Sequence, residues 1–194
     1  MDGVFPVAKT EIGNLAAIAS EEILYPEIAR CLTMRGAEVF LHSTGEMGNM
    51  SETPKQIARK ARALENMAYV ISANSGSIRG HELPKSSTDG RSAVINYKGQ
   101  IMTEAGYGET MTANDCIDLH ALRKYRRRPG MSNYLARQRF EMFAETYSSE
   151  GSQKANALLD ENGNHKIPDR PFYLSSNRDD SKACQEKYYL NSYK

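Results

Sequence analysis

A side chain that attacks carbon works best where a buried strand ends and the chain turns, because the strand fixes the backbone and the turn exposes the group. Ser20 occupies such a place. Leu15 to Ala19 is an apolar run, Ser20, Glu21 and Glu22 form a polar turn, and Pro26 opens a helix that Gly36 closes. The Ser20 hydroxyl is a nucleophile only if a base takes its proton, and no helper is evident near it in the sequence. It is equally a small polar residue at a strand end. Glu21 and Glu22 either shape a pocket or stand as solvated acids ahead of a helix. His42, Ser43 and Thr44 end the neighbouring strand and can line the same pocket, although polar strand ends are commonplace.

The elements that must hold these residues alternate. Val4 to Val7 and Ile12 to Ala19 read as a strand pair or one bent strand, joined by Lys9, Thr10 and Glu11. The helix after Pro26 carries Ile28, Cys31, Leu32 and Arg35 at helical spacing, and Val39 to His42 is the next strand. A strand, helix and strand within about 30 residues make a parallel pair with a right-handed crossover. Ser43 to Glu52 is a polar loop. Thr53 caps a second helix with Ile57, Ala61, Leu64 and Ala68 along its apolar face, and Tyr69 to Ala73 is a third parallel strand. A long loop, Gly76 to Gly90, forms a rim or lid ahead of a hairpin, Ser92 to Tyr97 and Gln100 to Ala105, turning at Lys98-Gly99. Met111 to Ile117 is predicted as a further strand, Asp118 caps a helix through Tyr125, and Tyr134 to Tyr147 is predicted as one helix.

Composition bounds the function. The chain of 194 residues carries a formal net charge of +1 and is 40% hydrophobic, enough for one domain with a sizeable core and too balanced to imply a polyanion or membrane partner. The three cysteines, Cys31, Cys116 and Cys184, form no metal or disulfide pattern, and a reducing, cytoplasmic setting is expected. Cys31 sits on a helix stripe as an inert core thiol. No run approaches the roughly 20 apolar residues needed to span a bilayer. The histidines lack metal-ligand spacing, so neither metal nor other cofactor is expected. The basic run Arg123 to Arg128 suggests nucleic acid, but it lacks interleaved aromatics apart from Tyr125, and a structural role is favoured. After Glu150 the chain turns polar, with Pro168 and Pro171, and is expected to be an extended or weakly ordered extension.

Several stretches resemble the nitrilase superfamily of carbon-nitrogen hydrolases. Tyr25-Pro26-Glu27, Arg30 and Arg35-Gly36-Ala37-Glu38 match the segment around the family's nucleophile, and Glu65 to Ser75, ENMAYVISANS, is similar to its helix-to-strand passage, closed by Asn74. Gly90, Ser92 and Gly99 match its hairpin region. By the family's spacing, the nucleophilic cysteine position holds Ser20.

The resemblance implies an α/β fold that is part of a four-layer αββα sandwich, with one sheet and covering helices. Residues 1–147 would form a partial hydrolase domain and residues 148–194 a polar C-terminal extension. It implies hydrolysis of non-peptide carbon-nitrogen bonds in small amides or nitriles, with Ser20 at the nucleophile position and Glu21, Glu22, Tyr25, His42, Ser43 and Asn74 as substrate-binding candidates. The family's glutamate and lysine come from segments ahead of the nucleophile strand, and residues 1–19 match neither. A binding or assembly module derived from the fold is the alternative to an enzyme. Either reading expects a homo-oligomer, or a chain supplying the missing half, over the uncovered face of the sheet.

Overall fold

The computed structural model describes residues 3–47, 51–84, 87–149, 158–172, 174, 175, 178 and 182. The chain divides into two compact units, Met1–Gln138 and Arg139–Lys194.

The first unit is built on a mixed six-stranded sheet whose spatial order follows the chain: β1 (Ala8–Thr10), β2 (Gly13–Ala19), β3 (Val39–Thr44), β4 (Tyr69–Asn74), β5 (Ala93–Ile95) and β6 (Ile101–Glu104). β2, β3 and β4 are parallel, with Ala17, Leu41 and Ile71 in register, and the outer pairs are antiparallel. Helices α1 (Pro26–Met34) and α2 (Pro54–Asn66) make the crossovers between the parallel strands. Pro26 and Pro54 each sit in a first helical turn, where a missing N–H costs nothing.

Alternation along the strands divides the side chains between two faces. Ala16, Ile18, Phe40, Val70, Ala93 and Ile95 pack with Ile23, Ala29, Leu32, Ala58 and Ala63 of the helical layer. On the opposite face, Leu15, Val39, Tyr69, Tyr97 and Met102 pack with Ile117, Leu119 and Leu122 around α3 (Leu119–Arg126). Asp118 caps α3 by accepting from the Ala121 N–H at 2.8 Å. Towards the carboxyl ends of the parallel strands this second face is open: Leu41 is 41% exposed, and Ala17, Ala19, Ser43 and Ala73 are exposed around it.

Four sequence expectations are corrected. Val4 to Val7 is not a strand, since the edge strand is Ala8–Thr10. Met111 to Ile117 pairs with no strand; its residues do not alternate between buried and exposed, and Ile117 alone joins the core beside α3. The helix expected from Tyr134 to Tyr147 is two helices, α4 (Tyr134–Arg137) and α5 (Glu141–Ser149), interrupted where Gln138 takes extended backbone. The apolar stripe expected for α2 is not its buried face. Ile57 and Leu64 are 53% and 40% exposed, whereas Gln56, Arg59, Arg62 and Asn66 are buried with Ala58 and Ala63.

That last correction has a physical cause. Each buried polar side chain on α2 finds at least one partner that offsets its desolvation, although Arg59 Nε and Asn66 Oδ1 have no hydrogen-bond partner among the described residues. Arg62 donates from Nε to the Ile23 carbonyl at 2.9 Å and from a terminal nitrogen to the Leu24 carbonyl at 2.8 Å. Arg59 donates to Glu104 at 2.7 Å and to the Arg91 carbonyl at 2.8 Å. Two residues of the basic run are likewise engaged within the fold: Arg123 grips the Glu38 carboxylate at 2.6 and 2.9 Å, and Arg126 donates to the carbonyls of Met67 and Ala37 at 2.9 and 2.8 Å.

In the second unit, part of the extension expected to be extended or weakly ordered is described. Leu159 and His165 form an isolated antiparallel bridge over a turn in which Asp160 Oδ1 accepts from the Asn162 and Asn164 N–H groups, both at 2.8 Å. Residues 151–157 and most of 173–194 lie outside the described residues, and Cys184 is among them.

Candidate active site

β2 ends at Ala19, and the backbone then turns through a short 3-10 helix, Ser20–Leu24. Ser20 takes φ +43°, in the left-handed region that costs a non-glycine residue roughly 1–2 kcal/mol. Such a conformation persists only where its surroundings fix it, and three contacts do so. Glu22 Oε2 accepts from the Ala19 N–H at 2.7 Å. Arg62 holds the far end of the turn through the Ile23 and Leu24 carbonyls. His42, from β3, approaches the Ser20 carbonyl oxygen with Nε2 at 3.0 Å.

The His42 tautomer follows from its partners. A carbonyl only accepts, so Nε2 carries the proton, and Nδ1 accepts from the Ser72 hydroxyl at 2.9 Å. Burial lowers the His42 pKa below its ordinary value, against the opposing pull of the Ser20 carbonyl, with the Arg59 and Lys55 charges lowering it further. The ring is therefore neutral at pH 7.

The Ser20 hydroxyl has a partner that sequence reasoning missed. Lys55 Nζ, in the first turn of α2, donates to Ser20 Oγ at 3.2 Å and stands 3.6 Å from Glu46 Oε2. Beside this pair lies a small cleft of about 10 Å³, room for about one water molecule, lined by His42, Thr44, Glu46, Lys55, Gln56, Arg59, Ser72, Asn74 and Asp89. Two of its deepest groups carry unused hydrogen-bonding capacity among the described residues: the Arg59 Nε–H, on a residue 3% exposed, and Asp89 Oδ1, on a residue 1% exposed. Burial raises the Asp89 pKa, opposed by its bond from Gln56 and by the charges of Arg91 and Arg59.

Asp89 reaches the cleft because the long loop is tied down on both sides. Its N–H donates to the Glu46 carbonyl at 3.1 Å, and its carbonyl accepts from the Gly108 N–H at 3.2 Å. Gly90, at φ +64°, passes so close to the next segment that a Cβ would stand 2.7 Å from the Gly106 carbonyl oxygen. Asn74 completes the tie, accepting from the Glu46 N–H and donating to the Gly90 carbonyl, both at 2.9 Å.

The expected site residues thus separate. Ser20 and His42 are in contact, and Asn74 lines the same cleft while ordering its loops. Glu22 is engaged with the backbone at Ala19, and Glu21 and Tyr25 are exposed, Tyr25 by 58%. Ser43, one position out of phase with His42, is on the open face of the sheet instead. Lys55, Gln56, Arg59, Ser72 and Asp89 were not anticipated. The period-two spacing of His42 with Thr44 and of Ser72 with Asn74 could have revealed part of this set, since it puts all four on one face. No group of three or more His, Cys, Asp or Glu side chains among the described residues could hold a metal ion. Nor is any described helix long and apolar enough to cross a membrane.

This geometry sits on a fold with known relatives. The amidase from Nesterenkonia sp. AN1 superposes with a TM-score of 0.55 at 26% identity, covering 73% of this chain and 47% of its own. A deaminated glutathione amidase of Synechocystis is 29% identical over 94 residues, 48% of this chain and 34% of the relative. A probable nitrilase of Schizosaccharomyces pombe is 28% identical over 123 residues, 62% and 43% of the two chains. The chain therefore spans less than half the length of these relatives. The carbon-nitrogen hydrolase family model matches residues 1–127, about two thirds of the sequence, and the chain belongs to that family.

Proposed function

We propose that the chain carries one part of a carbon-nitrogen hydrolase site for small amides or nitriles, with Ser20 where the family places its nucleophilic cysteine, and that the isolated chain does not turn such substrates over. The observation that carries the amide reading is the carbon-nitrogen hydrolase match over residues 1–127, with Ser20 directly after the parallel strand β2 and ahead of α1. The Nesterenkonia amidase supports the same class, since two of its structures hold acetamide or acrylamide adducts on the active-site cysteine.

Loss of turnover follows from the nucleophile. A thiolate attacks carbon near neutral pH, whereas a serine hydroxyl needs an aligned base, and losing members of a cooperative catalytic set costs orders of magnitude in rate. In this reading residues 1–147 are a partial hydrolase domain, one sheet of an αββα sandwich, and residues 148–194 an extension. A second copy, or a chain bringing the other half, covers the open face around Leu41.

Ammonia release from a panel of small amides and nitriles tests the proposal. The chain itself should release none, and Ser20→Cys joined to the amino-terminal half of a family amidase should release it. Silence from the completed protein would shift the assignment to the second reading, a binding or assembly module, which the serine at position 20 and the open face around Leu41 favour.

A further inference from the structure

Four of the nine residues that line the small cleft each present a polar atom with no hydrogen-bond partner among the described residues: Thr44 Oγ1, Glu46 Oε2, Arg59 Nε and Asp89 Oδ1. We propose that the cleft is a built site for one internal water molecule, held by these four atoms, and that this water joins Arg59 to Asp89. The inference goes beyond the amide reading and does not depend on it.

The rest of the polar lining is already committed. Both ring nitrogens of His42 are engaged, one with Ser20 and one with Ser72. Asn74 accepts from the Glu46 N–H and donates to the Gly90 carbonyl. Gln56 donates to Asp89 Oδ2 and accepts from Arg91 at 2.8 Å, and Lys55 donates to Ser20. The unused capacity is therefore gathered around a space of about 10 Å³, the size of a single water site.

The kinds of atom select the occupant. Arg59 Nε and the Thr44 hydroxyl have protons to give, whereas Asp89 Oδ1 and Glu46 Oε2 accept. The Lys55 ammonium stands 3.6 Å from Glu46 Oε2, too far to fill that need with a hydrogen bond. Water takes two protons and gives two, so it answers all four groups. An ammonium ion only donates and would face the Arg59 guanidinium; a chloride ion only accepts and would face two carboxyl groups. Burial raises the Asp89 pKa, and water serves that side chain in either protonation state because it donates as readily as it accepts.

The bridge also accounts for a charge pair that does not touch. Arg59 and Asp89, 3% and 1% exposed, each act on the other's ionisation, yet make no direct bond: Arg59 pairs with Glu104 and Asp89 takes its side-chain bond from Gln56. Two opposite charges buried this deeply and held apart are joined most readily through a shared water. The loop that carries Asp89 is thereby fastened to α2 through solvent as well as through Gln56.

The test compares the oxygen-17 magnetic relaxation dispersion of water in solutions of the wild-type chain and of Thr44→Ile. Isoleucine keeps the β-branched shape that suits β3 and puts a hydrocarbon group into the cleft. A protein carries about one internal water per 27 residues, so the difference between the two chains is read rather than the total. The expected result is a dispersion amplitude lower in Thr44→Ile by one long-lived water; equal amplitudes in two folded chains would overturn the proposal. A crystal structure of the wild-type chain that orders water needs no variant and decides the matter should Thr44→Ile fail to fold. One water within hydrogen-bond reach of both Arg59 Nε and Asp89 Oδ1 is expected there. A direct Arg59–Asp89 contact, an ion in the cleft, or no ordered water between the two would overturn the proposal.

Discussion

Arg62 and Ile23, 39 positions apart, are joined by a 2.9 Å hydrogen bond from a buried guanidinium to the carbonyl of the turn that follows Ser20. A second bond from the same group reaches the Leu24 carbonyl at 2.8 Å, and a third the Glu65 carboxylate at 2.8 Å. The helix that crosses from β3 to β4 therefore holds the backbone of the candidate nucleophile.

Removing that grip should be costly. Arg62→Met keeps the apolar stem and strands two carbonyls, so a loss of about 2–4 kcal/mol is expected, from the cost of unsatisfied buried groups. Urea denaturation checks it. Arg62→Lys, with one donor site and no fork, should recover only part of the loss.

His42 sets an acid limit on stability. Its folded pKa is below that of the unfolded chain, so between the two values the unfolded state binds more protons. The contribution is complete above the ordinary histidine value of about 6.5 and is lost as pH falls through the folded value. His42→Gln, which keeps a donor and an acceptor, should flatten that part of a plot of Tm against pH.

Asp89 acts with the opposite sign. Its folded pKa is raised by burial, so the folded state binds more protons between the two values, and its contribution is present below the unfolded pKa and lost as pH rises through the folded one. Asp89→Asn removes the buried charge and retains a side-chain oxygen for Gln56, whose amide donates to Asp89 Oδ2. It should raise Tm at pH 7 relative to the wild type and change little at pH 4, as measured by calorimetry at both values.

The open sheet face predicts self-association or capture of a partner. Leu41 is 41% exposed at its centre, so Leu41→Glu should leave folding nearly unchanged while shifting sedimentation towards the monomer. A wild-type chain that already sediments as a monomer would remove the homo-oligomer from the proposal.

Much of the frame was legible because it rests on local periodicity. The strands Val39–Thr44 and Tyr69–Asn74 are short apolar runs, and Thr53 with Gln56 forms the reciprocal cap that ends one loop and starts α2. The reading failed where tertiary partners decide. α2 buries Arg59, Arg62 and Gln56 because Glu104, Ile23, Leu24 and Asp89 wait for them, and hydrophobic spacing does not register such partners. The site was half legible for the same reason. Ser20 and His42 lie at strand ends where chemistry is sought, whereas Lys55 and Asp89 arrive from a helix start and a loop brought in by long-range contacts.

Because the six strands lie side by side in the order in which they occur in the chain, each one, as it leaves the ribosome, meets its only earlier neighbour already in place. Growth is by addition at one edge, with no strand having to insert between two that have already paired. The slow search associated with distant strand pairing is thereby shortened to a succession of nearby closures. The open edge moves along the sheet until β6 ends it, which makes the nascent chain most prone to aggregation between β4 and β5, while residues 75–92 are being synthesised.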